Sequence, residues 1–269
     1  MSLADIVEKW DGVLFTAYNF CAVIKYFLSL PKLKSILKKN KNLKDNHSGE
    51  RCFVIMNGPS ILDHDLRRLE NEVVFSANYF YRSDIAKVVK PNYHCWLDSK
   101  LFSSAEGEKV QEEILGLDPS IILIENYKGY NKRLSDRCYY TYNKHLPNLA
   151  GIRSNLSSIC SSFSTVALYA INAAIYMGFK NIYVMGLDFP PGAFKHFDNK
   201  LGETTDPKKQ NNKSDVCSNY WSYTKAHYEA YALDKYAKRR GVHIVNLNPD
   251  SCIRAFDFDL FERVIEENK

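Results

Sequence analysis

Asparagine, glycine, proline and serine directly follow the most apolar strand predicted in this sequence. The run Cys52–Met56 is apolar and leads into Asn57, Gly58, Pro59 and Ser60. Backbone amides in a turn of this kind attract phosphate, and asparagine suits a base or ribose edge because it both donates and accepts. The turn lacks the repeated glycines of a dinucleotide motif and the lysine of a P-loop. We therefore expect a phosphate-binding turn of another type.

The other predicted strands end in polar residues too. Residues 72–77 form a strand that precedes Asn78, residues 93–97 precede Asp98, and residues 181–187, which include Gly186, precede Asp188. The last strand, residues 243–247, is followed by Pro249, Asp250 and Ser251. Each residue alone suits a turn or a cap. Because the carboxyl ends of parallel strands meet at one edge of the sheet, their joint occurrence predicts a nucleotide site.

The elements that carry these turns alternate between strand and helix along the chain. The clearest helix spans residues 162–177 and is followed by Gly178, and a long helix spans residues 220–240 and is followed by Gly241. Residues 62–69 have helical spacing, and a final helix is expected at 260–267. This alternation predicts an α/β fold with a doubly wound, mostly parallel, Rossmann-like sheet.

The predicted domain plan has two parts. Residues 1–47 form a helical, basic N-terminal extension, and residues 48–269 form a single nucleotide-binding domain. Residues 125–155 have weak periodicity and are expected to form a lid-like insertion or a small subdomain. Residues 190–218 are poor in apolar side chains and are expected to be a mobile loop that closes over substrate.

Composition excludes several classes of protein. With 269 residues, 45% hydrophobic and 25% charged, the chain is an ordinary globular protein. Its net charge of +5 does not argue for nucleic acid as a partner. The seven cysteines are dispersed, which indicates reduced thiols in a cytoplasmic protein and predicts no metal site.

The N-terminal segment combines an apolar helix with many lysines. Residues 13–30 are strongly apolar but are interrupted by Asn19 and Lys25, so a signal peptide or a spanning helix is not expected. Seven lysines and no acidic residue lie between Asp11 and Asp45. Two interpretations stay open: a peripheral anchor on an anionic membrane surface, at the inner face of the cell membrane, or a helix packed on its own domain or on a partner subunit.

Four blocks of sequence resemble known families. The blocks are NGPS, FSANYFY, GFKNIYVMGLDF and HIVNLNPDS, within about residues 51–256. They resemble the bacterial sialyltransferases that use CMP-sialic acid, and they are at least as similar to the MptE-like group, named for an archaeal hydroxymethylpterin diphosphokinase. That group includes proteins of bacterial polysaccharide and flagellin glycosylation.

The resemblance implies a set of nucleotide contacts. It places Asn57, Gly58 and Ser60 against the phosphates and ribose, and Asn78 against the nucleotide. Asp98 stands where the sialyltransferases have asparagine, so that contact departs from their pattern. The remaining implied positions are Ser164 and Thr165 near phosphate or sugar, Asp188 in the D-F signature, and the pocket-closing run Pro249, Asp250 and Ser251.

The general base is not settled by the resemblance. An ungapped count from the sialyltransferase pattern reaches Thr224, and the nearest histidines are His227 and His196. Either histidine suits proton removal from an acceptor hydroxyl, while His227 also fits a plain surface helix. Help for the leaving phosphate is expected from Tyr220, Tyr223 or Arg153.

The resemblance and the strand-end residues together predict a glycosyltransferase. We expect transfer of a sugar, sialic acid or a related nonulosonate, from a CMP-linked donor to a surface-glycan acceptor without a cofactor. The alternatives are a Mg-ATP-dependent diphosphokinase, in which Asp98 and Asp188 hold Mg²⁺, and a non-catalytic nucleotide-binding protein. The oligomeric state is left open.

Overall fold

The computed structural model describes residues 3–28, 31–97, 105–116, 121–124, 136–147, 151–189 and 213–266. Its helices are α1 (Leu3–Phe27), α2 (Pro31–Lys38), α3 (Ala105–Gly116), α4 (Val166–Met177), α5 (Lys213–Lys238) and α6 (Phe261–Glu266). Its first strands are β1 (Arg51–Ile55), β2 (Val74–Ala77), β3 (Tyr93–Trp96), β4 (Ile121–Ile124) and β5 (Cys138–Tyr140). The remaining strands are β6 (Tyr142–His145), β7 (Ile159–Ser161), β8 (Asn181–Met185), β9 (His243–Asn246) and β10 (Asp257–Phe258).

Eight of these strands form one sheet in the order β10-β9-β8-β1-β2-β3-β4-β5. Every neighbouring pair is parallel. The chain builds outward from β1 to β5 and then returns to the other side of β1 with β8. The order therefore reverses between β1 and β8, and such a switch point is where open α/β sheets bind ligands.

Helices cover both faces of the sheet. Successive residues of a strand point to opposite faces and therefore pack in different clusters. In β1, Cys52 and Val54 pack in the large core cluster that contains α4 and part of α5. Phe53 and Ile55 pack in a second cluster with Phe261 and Val264 of α6. This architecture confirms the predicted doubly wound parallel sheet.

Several predicted elements differ in extent from the observed ones. The stretch 62–69 is not an α-helix but two 3-10 turns, Pro59–Asp63 and Leu66–Leu69. His64 between them is extended, and the Asp65 side chain accepts from the Arg67 amide, which interrupts continuous helical bonding. The helix predicted from residue 162 begins at Val166, because β7 and the Thr165 N-cap precede it. Gly178 ends it in the left-handed conformation, as predicted.

Parts of two segments that were predicted without strands or helices have regular structure. Within residues 125–155, expected to be a lid or subdomain, β5 joins the edge of the main sheet and β6 pairs with β7 in a separate two-stranded sheet. Residues 213–218 of the predicted mobile loop 190–218 belong to α5, which begins at Lys213. Short β-strands rich in tyrosine and asparagine give no clear period, so these strands were not predicted. Residues 190–212 lie outside the described ranges.

The N-terminal helices rest on the sheet domain. The Asn19 side chain exchanges hydrogen bonds with Leu146, donating to its carbonyl at 3.0 Å and accepting from its amide at 2.8 Å. Leu33 and Leu37 are buried against Tyr142. In the part of the chain that is described, no single helix has the length and apolarity of a membrane span, whereas the bent pair Gly12–Phe27 and Pro31–Leu43 passes that test jointly. The predicted boundary at residue 47 stays a prediction.

Candidate functional site at the carboxyl ends of the strands

The turns that follow β1 and β8 are in direct contact at the switch point. The Gly58 amide donates to the Gly186 carbonyl at 3.0 Å. A Cβ atom at residue 58 would lie 2.4 Å from that oxygen and 2.5 Å from Oδ2 of Asp188. Gly186 has a φ of +68°, a conformation that glycine adopts without steric cost. Glycine is therefore required at both positions for the two turns to approach so closely.

Asp188 joins the ends of three strands. Its Oδ2 accepts from the Ser60 amide at 2.9 Å, and its Oδ1 accepts a short hydrogen bond from the Ser60 hydroxyl. The same Oδ1 accepts from Nδ2 of Asn248 at 2.8 Å. Because these partners follow β1 and β9, the carboxylate holds the two neighbouring turns to the end of β8.

These bonds correct part of the predicted phosphate site. The amides of Gly58 and Ser60 were expected to face a phosphate, but both donate to acceptors within the protein. Pro59 begins the 3-10 turn that follows. The turn therefore forms one side of the site in this structure, and its amides are not free to bind a phosphate. Asp188 has three donors on its two oxygens, which favours a positioning role over proton transfer.

Two asparagines next to this turn have side-chain oxygen atoms without a hydrogen-bond partner. The Oδ1 atoms of Asn57 and Asn78 are buried and accept no hydrogen bond from the residues described. β1 and β2 pair with Phe53 opposite Val74, and the same register carried past the strands sets Asn57 level with Asn78. Buried acceptors are almost always satisfied in native proteins, so a pair at a switch point indicates a ligand that donates hydrogen bonds.

A buried pair of side chains lies on β2 and β3, and one of them is close to Asn78 along the chain. Asn78 has a φ of +50°, which asparagine tolerates better than most residues. The Ser76 hydroxyl and Nδ1 of His94 lie 2.8 Å apart on β2 and β3. Burial lowers the pKa of His94 to about 3, and the nearby Asn78 backbone acts in the opposite direction. Nε2 of His94 is buried and has no hydrogen-bond partner among the described residues. His94 is therefore neutral at physiological pH.

The turn after β9 has a buried side and an exposed side. Ser251 is fully buried, and its hydroxyl donates to the Leu187 carbonyl at 2.6 Å. Pro249 and Asp250 are exposed. Ser251 was expected to close the nucleotide pocket together with Pro249 and Asp250. Its hydroxyl is bonded within the protein here, and the pocket-closing role stays a prediction. Pro249 and Asp250 remain accessible for the pocket-closing role.

The start of α4 is held by a buried glutamate of α5. Glu229 accepts from the Ser164 amide at 2.6 Å and from its hydroxyl at 3.1 Å. Thr165 caps the helix by accepting from the Leu168 amide at 3.4 Å. Burial raises the pKa of Glu229, and the Ser164 bond and the Lys225 charge partly offset this. The Ser164 hydroxyl thus serves the helix start in this structure.

Aromatic side chains surround His227 on α5. Phe189 stacks on Tyr223 with a centroid distance of 4.5 Å, and its φ of +45° is unusual for a bulky residue. Nδ1 of His227 lies 3.0 Å from the Tyr223 carbonyl, and Nε2 lies 3.1 Å from the Cys252 carbonyl. Both ring nitrogens thus face acceptors. His227 can act as a general base only if one of these contacts opens.

Tyr223 is suited to donate a hydrogen bond. Burial raises the pKa of its phenol, so the group keeps its proton at neutral pH. It lies one helical turn before His227 on the same helix. A protonated phenol beside the candidate base is consistent with help for a leaving phosphate.

Other predicted residues are not brought into this group. Asp98 and His196 lie outside the described residues, and Tyr220 belongs to a part of α5 where only the backbone is described. Arg153 lines a different cavity, with Tyr236 and Arg240 at the far end of α5. Within the described ranges, no three His, Cys, Asp or Glu side chains are grouped as a metal site.

Sequence reasoning missed Asn248, Glu229 and His94. Asn248 precedes the recognised Pro249 and was treated as part of the turn. Glu229 lies on the same face of α5 as Ala226, Ala230 and Leu233, and an acidic residue on an apolar face is a usable signal. His94 gave no signal, since its partner Ser76 lies on another strand.

Solved structures of sialyltransferases have a fold similar to that of this chain. The chain is similar to the sialyltransferase CstII from Campylobacter jejuni in complex with cytidine-5'-monophosphate, at 19% identity and a TM-score of 0.50, over 78% of this chain and 85% of that one. The same enzyme with CMP-3FNeuAc gives 20% identity and a TM-score of 0.47, over 77% and 85%. The sialyltransferase CST-II in complex with a trisaccharide acceptor and CMP is 18% identical, with a TM-score of 0.48, over 78% of this chain and 85% of that one. The first of these similarities, at a TM-score of 0.50, shows the fold.

Comparison with curated proteins found no match. A family model does match. Residues 19–191, which include β1 to β8 and the turns at the switch point, match the model described as 6-hydroxymethylpterin diphosphokinase MptE-like. Because this match covers more than half of the sequence and agrees with the fold, the chain belongs to the MptE-like family.

Proposed function

We propose that this protein is a glycosyltransferase that uses a nucleotide-linked sugar, with CMP as the nucleotide. The observation that carries the proposal is the pair of buried, unpartnered oxygens of Asn57 and Asn78 beside the switch point. The cytosine amino group and the ribose hydroxyls are hydrogen-bond donors, which such acceptors fit. The shared fold with a sialyltransferase bound to cytidine-5'-monophosphate supports this choice.

The reaction follows from the groups around His227. An acceptor hydroxyl attacks the anomeric carbon, a base takes its proton, and the bond from that carbon to the phosphate oxygen breaks to release CMP. His227 is the described candidate for the base, and His196 is the other candidate. The Tyr223 phenol donates to the leaving phosphate. Asp188 keeps the turns of β1 and β9 in position and does not exchange a proton.

The acceptor is proposed to be a surface glycan presented at the inner face of the membrane. One face of α1 docks on the sheet domain through Asn19, while Phe20, Phe27 and Leu28 are exposed by 66%, 66% and 81%. Lysines 32, 34 and 38 follow on α2. Apolar side chains next to lysines favour an anionic lipid surface.

Vesicle sedimentation tests the membrane contact. Phe20→Ser together with Phe27→Ser should weaken binding to vesicles that contain phosphatidylglycerol, with the exposed pair Tyr228→Ser and Tyr231→Ser as the control. Equal sedimentation of both variants and the wild type would argue against α1 as an anchor.

Nucleotide binding tests the function. We would measure thermal unfolding and calorimetric affinity with CMP, CDP, UDP, GDP and ATP, each with and without Mg²⁺. A ligand at one hundred times its dissociation constant stabilises by about 2.7 kcal/mol. Stabilisation by CMP without metal is expected. Asn57→Ala and Asn78→Gly, the latter chosen because glycine tolerates the positive φ, should each weaken CMP binding about tenfold, whereas the exposed Asn71→Ala should not.

The family model supports one alternative, a diphosphokinase that uses Mg-ATP. Of the two carboxylates proposed for Mg²⁺, Asp188 is occupied by three donors, so its fit to a metal is poor. Stabilisation by Mg-ATP and not by CMP would favour the kinase. No response to any nucleotide would overturn both activities and leave the non-catalytic alternative.

A further inference from the structure

A basic cavity lies at the opposite edge of the sheet from the strand-end site. It has a volume of about 740 Å³ and lies between residues 41–45, the segment 153–158 and the ends of α4 and α5. Its basic side chains are Lys41, Lys44, Arg153 and Arg240. Thr165, the N-cap of α4, lies at the strand-end site, and Ile175 near the other end of α4 lines the cavity. Ten residues of helix span about 15 Å. The two sites are therefore separate.

The charges in this cavity are mostly not neutralised by the protein. Lys44 pairs with Asp45 at 3.5 Å. Among the described residues, no carboxylate lies within 4.0 Å of the charged groups of Lys41, Arg153 or Arg240. Cations from three separate segments around one cavity repel one another unless an anion is present. The lining thus has the charge of an anion-binding site.

The polar groups around these cations define the kind of anion. The Arg240 guanidinium stacks on the Tyr236 ring at 3.6 Å, and the Tyr236 hydroxyl lies 2.5 Å from the Ser154 hydroxyl. This stacking holds the guanidinium in place, and arginine binds phosphate oxygens through two parallel hydrogen bonds. The carbonyls of Tyr176 and Met177 at the end of α4 already accept from the amides of Asp45 and His47, which reduces their repulsion of an anion.

We propose that this cavity binds a phosphorylated ligand through a phosphate or diphosphate group, independently of the nucleotide site. The four cations and the lining carboxylate of Asp45 leave three net positive charges, which two or more negative charges suit better than one carboxylate does. The phosphate can belong to a soluble compound or to a lipid headgroup. Arg153, which was expected to assist the leaving group, is assigned to this cavity instead.

Calorimetry of the full chain with sodium pyrophosphate, at constant ionic strength, tests the proposal. Arg153→Gln with Arg240→Gln, and separately Lys41→Gln with Lys44→Gln, should each weaken binding at least about tenfold. The control is Lys235→Gln with Arg239→Gln, which removes two exposed charges from the same helix end but not from the cavity. Circular dichroism melts confirm that each variant is folded.

Vesicles of phosphatidylcholine with and without phosphatidic acid distinguish the two sources. If the cavity variants lose binding to both pyrophosphate and phosphatidic acid, the phosphate belongs to a lipid headgroup. Loss of pyrophosphate binding alone identifies a soluble ligand. The proposal is overturned if the wild type binds neither probe, or if the cavity variants bind as tightly as the control.

Discussion

Replacing Asp188 by asparagine tests whether this carboxylate holds the strand ends together. Its Oδ1 accepts from the Ser60 hydroxyl and from Asn248, and its Oδ2 accepts from the Ser60 amide. A carboxamide has one oxygen and one NH₂ group. With the oxygen kept at the Oδ1 position, the NH₂ group faces the Ser60 amide, so a donor meets a donor.

The cost follows from the number of bonds affected. A hydrogen bond to a charged group contributes about 1.5–3 kcal/mol, and the substitution removes one such bond and makes the other two neutral. Asp188 is partly exposed, which reduces the loss. We expect Asp188→Asn to lower the free energy of unfolding by about 2–3 kcal/mol, a large part of the 5–15 kcal/mol typical of a domain.

Urea unfolding at pH 7 measures this difference. Asp250→Asn, which removes an exposed carboxylate from the same group of turns, should change stability by less than about 0.5 kcal/mol. A double-mutant cycle of Asp188→Asn with Ser60→Ala should give a coupling energy of about 1 kcal/mol or more. If Asp188→Asn is as stable as the wild type, or the cycle shows no coupling, the bridging role is refuted.

Three further predictions concern the same region. Gly58→Ala places a Cβ 2.4 Å from the Gly186 carbonyl oxygen and should destabilise by about 2–3 kcal/mol in urea, whereas Gly12→Ala, with no atom within 4 Å, should not destabilise. The pKa of His94 is about 3 in the folded state and 6.5 in the unfolded state, so the contribution of neutral His94 to stability is complete above pH 6.5 and is lost as the pH falls toward 3. His94→Gln should therefore lose less unfolding free energy than the wild type between pH 7 and pH 5. An equal loss in both proteins would contradict the burial argument. The pKa of Glu229 is raised above 4.5 in the native state, so the native carboxyl group loses its proton at higher pH than the unfolded one, and stability falls as the pH rises above 4.5. Glu229→Gln should reduce the slope of the urea-derived unfolding free energy against pH in that range. An unchanged slope would count against the prediction.

Local sequence was sufficient for most of the elements. The period of apolar residues depends only on neighbours along the chain, so β1, β2, β3, β8 and β9 were predicted within about two residues, and so was the end of α4 at Gly178. Parallel order followed from the alternation of strand and helix. The strands β5, β6 and β7 were missed because each is short and their sequences, CYY, YNKH and ICS, show neither a sustained apolar run nor a clear alternation.

The roles of the site residues depended on tertiary structure. Turn chemistry showed that polar residues follow the strands, and the parallel sheet implied that they gather at one edge. Ser60 and Asp188 are 128 positions apart, and their hydrogen bonds exist because β8 lies next to β1. Differences of a few tenths of an ångström in the distances between distant segments decide which amides donate hydrogen bonds within the protein. They also decide which asparagine oxygens lack a partner. Such distances are set by the packing of the whole domain and have no trace in local sequence.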